Sequence, residues 1–206
     1  MTSYSVIIIV ITCLISFLAF NNIKVMDSLI FWPPAISMRH EYWRFVTCGF
    51  IHADFVHLLF NMVTLFFFGK GLENLYMGEL GLQHYYFLIL YFVSLIVSNI
   101  PTYLKRKDDY NYRSLGASGA VCAVMFAAIL IQPWAEVTVY VIPMPAIVYA
   151  VLFMVYSIYM AKRGGDNVNH DAHLWGAAVG VAFTLLVDPS SFHKFLDEIS
   201  HPHFRS

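Results

Sequence analysis

Four side chains in this apolar chain have the chemistry of acyl transfer: Ser118, His173, His57 and Asn61. That reaction needs a hydroxyl nucleophile, a base within hydrogen-bond reach and donors aimed at the oxyanion that develops. Ser118 lies in Gly116-Ala117-Ser118-Gly119, at the expected start of a helix. Unpaired N–H groups and the positive end of the helix dipole favour an anion there, and the flanking glycines admit close neighbours. His173 can serve as base. Gly176 and Gly180 follow it at a four-residue spacing that lets one helix pack backbone-close on another, and the helix opened by Ser118 is the natural partner. His57 and Asn61 are four apart, share a helical face and can both donate to an oxyanion. His52 has no role that chemistry alone assigns.

Each signal also has a plainer reading. A serine between glycines packs helices, a lone membrane histidine bonds a neighbouring helix, and spaced glycines mark a close crossing. His52 and His57 are five apart with no Glu between them, so they do not fit the H-E-x-x-H zinc pattern, and no metal site is expected.

The elements that must position these groups are membrane helices. Of 206 residues 59% are hydrophobic and only 12% are charged, against ~25% in ordinary soluble domains. With 12 basic and 13 acidic residues there is no electrostatic footprint for nucleic acid. Cys13, Cys48 and Cys122 are odd in number and scattered through apolar sequence, which suits packed thiols. Six stretches approach the ~20 apolar residues that span a bilayer: Tyr4–Phe20, Phe50–Phe68, Tyr85–Tyr103, Leu115–Trp134, Val137–Ala161 and Ala172–Val187. All read as helices, because a spanning segment must satisfy its own backbone. The first has no preceding Lys or Arg and no small-x-small site after it, which predicts a retained helix. The connection from Asn21 to Gly49 mixes aromatic and basic residues and is expected to lie partly in the interface. The polar tail, from about residue 189 with His193, His201 and His203, carries no expected chemistry. One domain over residues 1–206 is expected.

Taken together, these residues resemble the rhomboid family of intramembrane serine proteases. Trp43-Arg44 looks like its W-R, and His52, His57 and Asn61 fit H-x4-H-x3-N. Phe68-Gly69-Lys70-Gly71-Leu72-Glu73, closing at Gly78, is similar to F-G-x-x-L-E-x4-G. Gly116–Gly119 matches G-x-S-G, and Ala172-His173-Leu174-Trp175-Gly176 matches A-H-x-x-G. The ordered set carries the resemblance, not any one motif. It implies an all-α membrane protein, a six-transmembrane-helix bundle with an outward-opening aqueous cavity. It also implies a Ser118–His173 dyad with no third carboxylate, and oxyanion donors at His57, Asn61 and the Ser118 amide. His52, Gly116, Gly119, Gly176, Gly180, Trp43, Arg44 and Glu73 would support the site. No cofactor is implied. Partners would be the lipid bilayer and single-span membrane proteins, cut in or near their helix, and the location a bacterial inner membrane. The oligomeric state is not legible.

The chain departs from the family pattern at two positions. Cys122 stands where many members carry an aromatic supporting the catalytic histidine, so a substitute ring is expected, with Trp175 the candidate. Cys48 replaces a histidine found in some relatives. Family topology also puts both termini in the cytoplasm, with nine of the chain's twelve Lys and Arg outside, the reverse of the positive-inside rule. By analogy the fifth helix would move to admit substrate, and Pro143 and Pro145 weaken its start. Two rival readings are a catalytically silent rhomboid-like binder of membrane proteins and a proton-coupled carrier relaying through His57 and His173. Paired inverted halves, which a carrier would favour, are not visible.

Overall fold

The structure, a computed structural model, describes residues 3–139, 141–165 and 168–201. It is mostly helical. Helix α1 (Tyr4–Phe20) buries Ser5, Ile8, Thr12, Ser16 and Ala19 along one stripe, while Leu14, Phe17 and Leu18 stay exposed. Small residues inward and large apolar residues outward is the pattern of a helix packed in lipid. The first connection folds into short helices. Asn22 caps α2 (Ile23–Leu29) by accepting from the N–H groups of Lys24 and Val25. Pro33 and Pro34 start α3 (Pro33–Arg39), which ends at His40 in the left-handed region with φ 58°. Helix α4 (Arg44–Thr47) runs into a tight turn over Cys48–Phe50.

Helix α5 (Phe55–Thr64) is capped by the Asp54 carboxylate, which accepts from the His57 N–H at 2.7 Å. It continues through a π turn, Leu65–Gly69, into α6 (Lys70–Gly78). Next come α7 (Tyr85–Val97) and α8 (Ile100–Arg106), then α9 (Ser118–Ile131). Twelve of the fourteen residues of α9 are buried, which makes it the central post of the bundle. Around it stand α10 (Ala146–Arg163) and α11 (His170–Val187), followed by α12 (Ser190–Ser200). Among the described residues four paths are long and apolar enough to cross a bilayer: Phe55–Gly78, Tyr85–Arg106, α10 and α11. Helices α1 and α9 are apolar but shorter.

The structure alters two sequence expectations. Among the described residues of 137–145 no helix forms. Glu136–Val139 and Ile142–Pro145 form an antiparallel hairpin, β1 and β2, with Glu136 opposite Pro145 and Val139 opposite Ile142. Pro143 and Pro145 lack the N–H that a helix needs, and the β-branched Val137, Thr138, Val139 and Ile142 fit a pleated ribbon, so the helix waits until Ala146. In the tail, residues 190–200 form α12. The helix expected from Leu115 starts at Ser118.

Glu73 accounts for the docking of α1. Only 2% exposed, it accepts from the Ser5 N–H at 2.7 Å, the Ser3 hydroxyl at 2.8 Å and the Tyr4 N–H at 3.0 Å, and it pairs with His84. A carboxylate from α6 thus serves the unpaired amides that open α1.

Candidate active site

The segment ahead of Ser118 is fixed by the first connection. Phe31 and Ser114 exchange backbone hydrogen bonds at 3.0 and 3.1 Å, the Gly116 N–H donates to the Cys48 carbonyl at 2.9 Å, and the Ala117 N–H donates to His52 Nε2 at 3.4 Å. Gly116 has φ +113°, and a Cβ there would sit 2.7 Å from Cε1 and 2.9 Å from Nε2 of His57. Only glycine allows both that backbone angle and that ring. Ser118 then opens α9, where the first helical amides lack intrahelical acceptors.

His52, left without a role by sequence chemistry, is fully buried and completes a chain of bonds. Its Nε2 accepts from Ala117, so Nδ1 carries the proton and donates to Ser16 Oγ at 3.0 Å, and the Ser16 hydroxyl donates to the Phe50 carbonyl at 3.0 Å. His52 thereby holds the backbone one residue before Ser118 and ties it to α1. The rings of His52 and His57 meet edge to face at 5.0 Å.

His173 reaches the same level because α9 and α11 cross in parallel with almost nothing between them. A Cβ on Gly176 would collide with the Gly119 carbonyl, lying 2.9 Å from its carbon, and one on Gly180 would lie 2.8 Å from the Ala123 carbonyl carbon. Both contacts advance by four residues, so two turns of each backbone lie flush. His173 stands one turn before Gly176 and Ser118 one residue before Gly119. Gly119 is itself closed in by Ser98, whose Cβ would be 3.1 Å from an added methyl, and by the Ala172 carbonyl at 3.4 Å. Ser118, Gly116, Gly119, Asn169 and Ala172 line a narrow cleft at this crossing.

Helix α11 begins at His170, so His173 is its fourth residue. The Asn169 side chain accepts from the Ala172 N–H at 3.1 Å and from Thr102 at 3.2 Å, fixing this end of the helix. Asp171 points to Lys105 at 3.2 Å. The ring facing His173 is not that of Trp175, which is half exposed. It is Phe153 of α10, with centroids 5.8 Å apart and planes inclined 34°. His170 meets His173 edge to face at 5.5 Å. Trp175 projects away because it lies two residues, about 200° of helical turn, beyond His173.

The remaining residues singled out from sequence are placed as follows. Asn61 is buried, and its Nδ2 donates to the His57 carbonyl at 2.9 Å; an amide nitrogen carries a second hydrogen. Arg44 is buried and donates to Glu41 at 2.5 Å, the Asp27 carbonyl at 2.8 Å and the Ile30 carbonyl at 2.7 Å, cross-bracing the first connection. The Trp43 side chain is exposed, while its carbonyl accepts from Val46 and Thr47 at 2.9 Å. Glu73 lies with α1, away from Ser118. His193 and His201 lie on and just after α12, and His203 lies outside the described residues. Sequence reasoning passed over Ser16, Ser98, Phe153 and His170. Only His170, three residues before His173 and so on its face, had a signal to be read.

A rhomboid domain matches residues 39–189. The chain belongs to the rhomboid family. The match contains every residue of the crossing and of the Gly116 segment, and leaves out α1 and α12. Relatives of this rhomboid chain include Bacillus subtilis (strain 168) YdcA, provisionally named a rhomboid protease, 30% identical over 165 residues that cover 77% of each chain. Two Arabidopsis thaliana relatives are each 32% identical: RHOMBOID-like protein 12, mitochondrial, over 65% of this chain and 43% of that one, and RHOMBOID-like protein 4, over 72% and 35%. The chain thus spans less than half the length of the plant proteins. Family membership and four long apolar helices make it an integral membrane protein.

Proposed function

We propose that this rhomboid is an intramembrane serine endopeptidase acting on single-span membrane proteins, with Ser118 as nucleophile and His173 as base. The observation that carries the reading is the flush crossing of α9 and α11, with Ser118 beside Gly119 and His173 one turn before the Gly176 seated on it. His173 takes the proton as Ser118 Oγ attacks the peptide carbonyl. The tetrahedral oxyanion is held by the Ser118 amide, by His57 and by the second hydrogen of the Asn61 amide. His173 returns the proton to the leaving amine, and water releases the acyl group.

Six spans suit this chemistry, with α1 and α9 joining the four longer paths. The 14 residues of α9 measure about 21 Å against a hydrocarbon core of ~30 Å. With its far end at one interface, α9 opens some ~10 Å below the other, inside the bilayer. A substrate helix must unwind to offer a carbonyl there, which favours small residues and weak helix formers at the cut. Both termini are taken as cytoplasmic, in a bacterial inner membrane.

Labelling by a fluorophosphonate probe tests the reading without any substrate. The wild type is expected to label, with loss in both Ser118→Ala and His173→Ala. A wild type no more reactive than Ser118→Ala would leave a rhomboid-like binder of membrane proteins as the better account.

A further inference from the structure

We infer that Phe153 is a positioning residue for His173, and that α10 thereby sets the angle of the base. The inference rests on the dyad proposed above. Three observations converge on it. The first concerns α9: Cys122, one turn from Ser118, is buried and short, so that turn of α9 offers no ring. The second is a ring contact from α10. Phe153 lies 5.8 Å from His173, centroid to centroid at 34°, inside the range where aromatic rings attract beyond simple burial. Phe153 is itself set by Tyr149 and Phe126, whose rings stand 6.1 and 6.2 Å away, so its place depends on both α10 and α9.

The third observation is how α10 is attached. Its buried positions are Ala146, Ala150 and Ser157, all small, while Val151, Leu152, Val155, Tyr156 and Tyr159 are exposed. Phe153 is the one large residue on the inward stripe 146, 150, 153, 157, and it ends on His173. On the other side Tyr156 meets His170 edge to face at 5.7 Å, and His170 meets His173. Phe153 and Tyr156, one turn apart on α10, therefore bracket the base, one directly and one through His170.

The test separates the rate of Ser118 labelling at saturating fluorophosphonate from the half-saturating concentration. Phe153→Leu keeps an apolar side chain without a ring, and Phe153→Tyr keeps the ring. Loss of a favourable aromatic pair is expected to slow the saturated rate about two- to tenfold in Phe153→Leu. The half-saturating concentration and the thermal midpoint should stay near the wild-type values, and Phe153→Tyr should recover most of the rate. Equal rates in wild type and Phe153→Leu, or an equal loss in Phe153→Tyr, would overturn the assignment. If the wild type labels no faster than Ser118→Ala, the proposed function falls instead. The positioning is then decided by the His173 ring signals in histidine-labelled protein, which must shift between wild type and Phe153→Leu; unmoved signals reject it.

Discussion

Replacing Gly116 by alanine tests the geometry of the serine segment directly. The new methyl would lie 2.7 Å from His57 Cε1, about 0.7 Å short of the 3.4 Å at which ordinary contact begins, so the imidazole must turn or the segment must move. The backbone adds its own penalty, since φ +113° is a region that side-chain-bearing residues rarely adopt, at a cost of about 1–3 kcal/mol. Relief by moving the segment strains the Gly116 bond to Cys48 and the Ala117 bond to His52, which together hold Ser118. We expect Gly116→Ala to lose about 2–4 kcal/mol of stability and, in the molecules that remain folded, to label with fluorophosphonate about a hundredfold more slowly. The assay is equilibrium unfolding in mixed micelles alongside labelling kinetics. A double-mutant cycle separates the two causes: adding His57→Ala removes the steric part but leaves the backbone part, so the double variant should regain some stability and no more than that. Gly116→Ala as stable and as reactive as wild type would refute the claim that this position excludes a side chain.

Two further predictions concern the C-terminal end. The Asp188 carboxyl is held below the usual carboxylate range, first by the Ser190 hydroxyl at 2.6 Å and then by the Ser191 hydroxyl at 2.8 Å and Lys194. Because the folded value is depressed, this anchorage of α12 is complete above the ordinary value of about 4 and is lost as the pH falls through the lower folded one. Trp134 donates from Nε1 to the Glu198 carbonyl in α12 at 2.6 Å, so its fluorescence, isolated by a Trp134→Phe control, should change in that acid window. Asp188→Asn should reproduce the change at pH 7, and an unchanged spectrum in that variant would sink the account. The proposed orientation is checked by reporter fusions at the C-terminus: a fluorescent, phosphatase-inactive fusion is expected, and strong alkaline phosphatase activity there would reverse the topology despite the site motifs.

Different parts of the molecule were legible in the sequence for different physical reasons. Gly176 and Gly180 could be read as a close crossing because a four-residue spacing keeps two missing side chains on one helical face whatever surrounds them. Ser118, His57 and Asn61 stood out because polar groups in apolar sequence are costly. Residues 137–145 misled because their hydropathy is that of a span; the decisive signal was the two prolines, which weigh on backbone hydrogen bonding and not on polarity. Phe153 was invisible in principle. It is one phenylalanine among eighteen, and only the rotation of α10 against α11 selects it over Trp175, which sequence proximity favoured. Ser16 was hidden in the same way, since its partner His52 is thirty-six positions away.

The bonds made by α1 bear on how the protein is assembled in the cell. This helix is synthesised before the groups that serve it: Phe50 and His52 for Ser16, then Glu73 and His84 for its opening turn. Until they arrive, its serine hydroxyls can only turn back on carbonyls of their own helix, as hydroxyls in membrane helices do. In the finished fold the dependence reverses: without α1, Glu73 would keep a buried charge served by His84 alone, and the proton on His52 Nδ1 would lose its acceptor. The helix is therefore made before its partners and locked only after them.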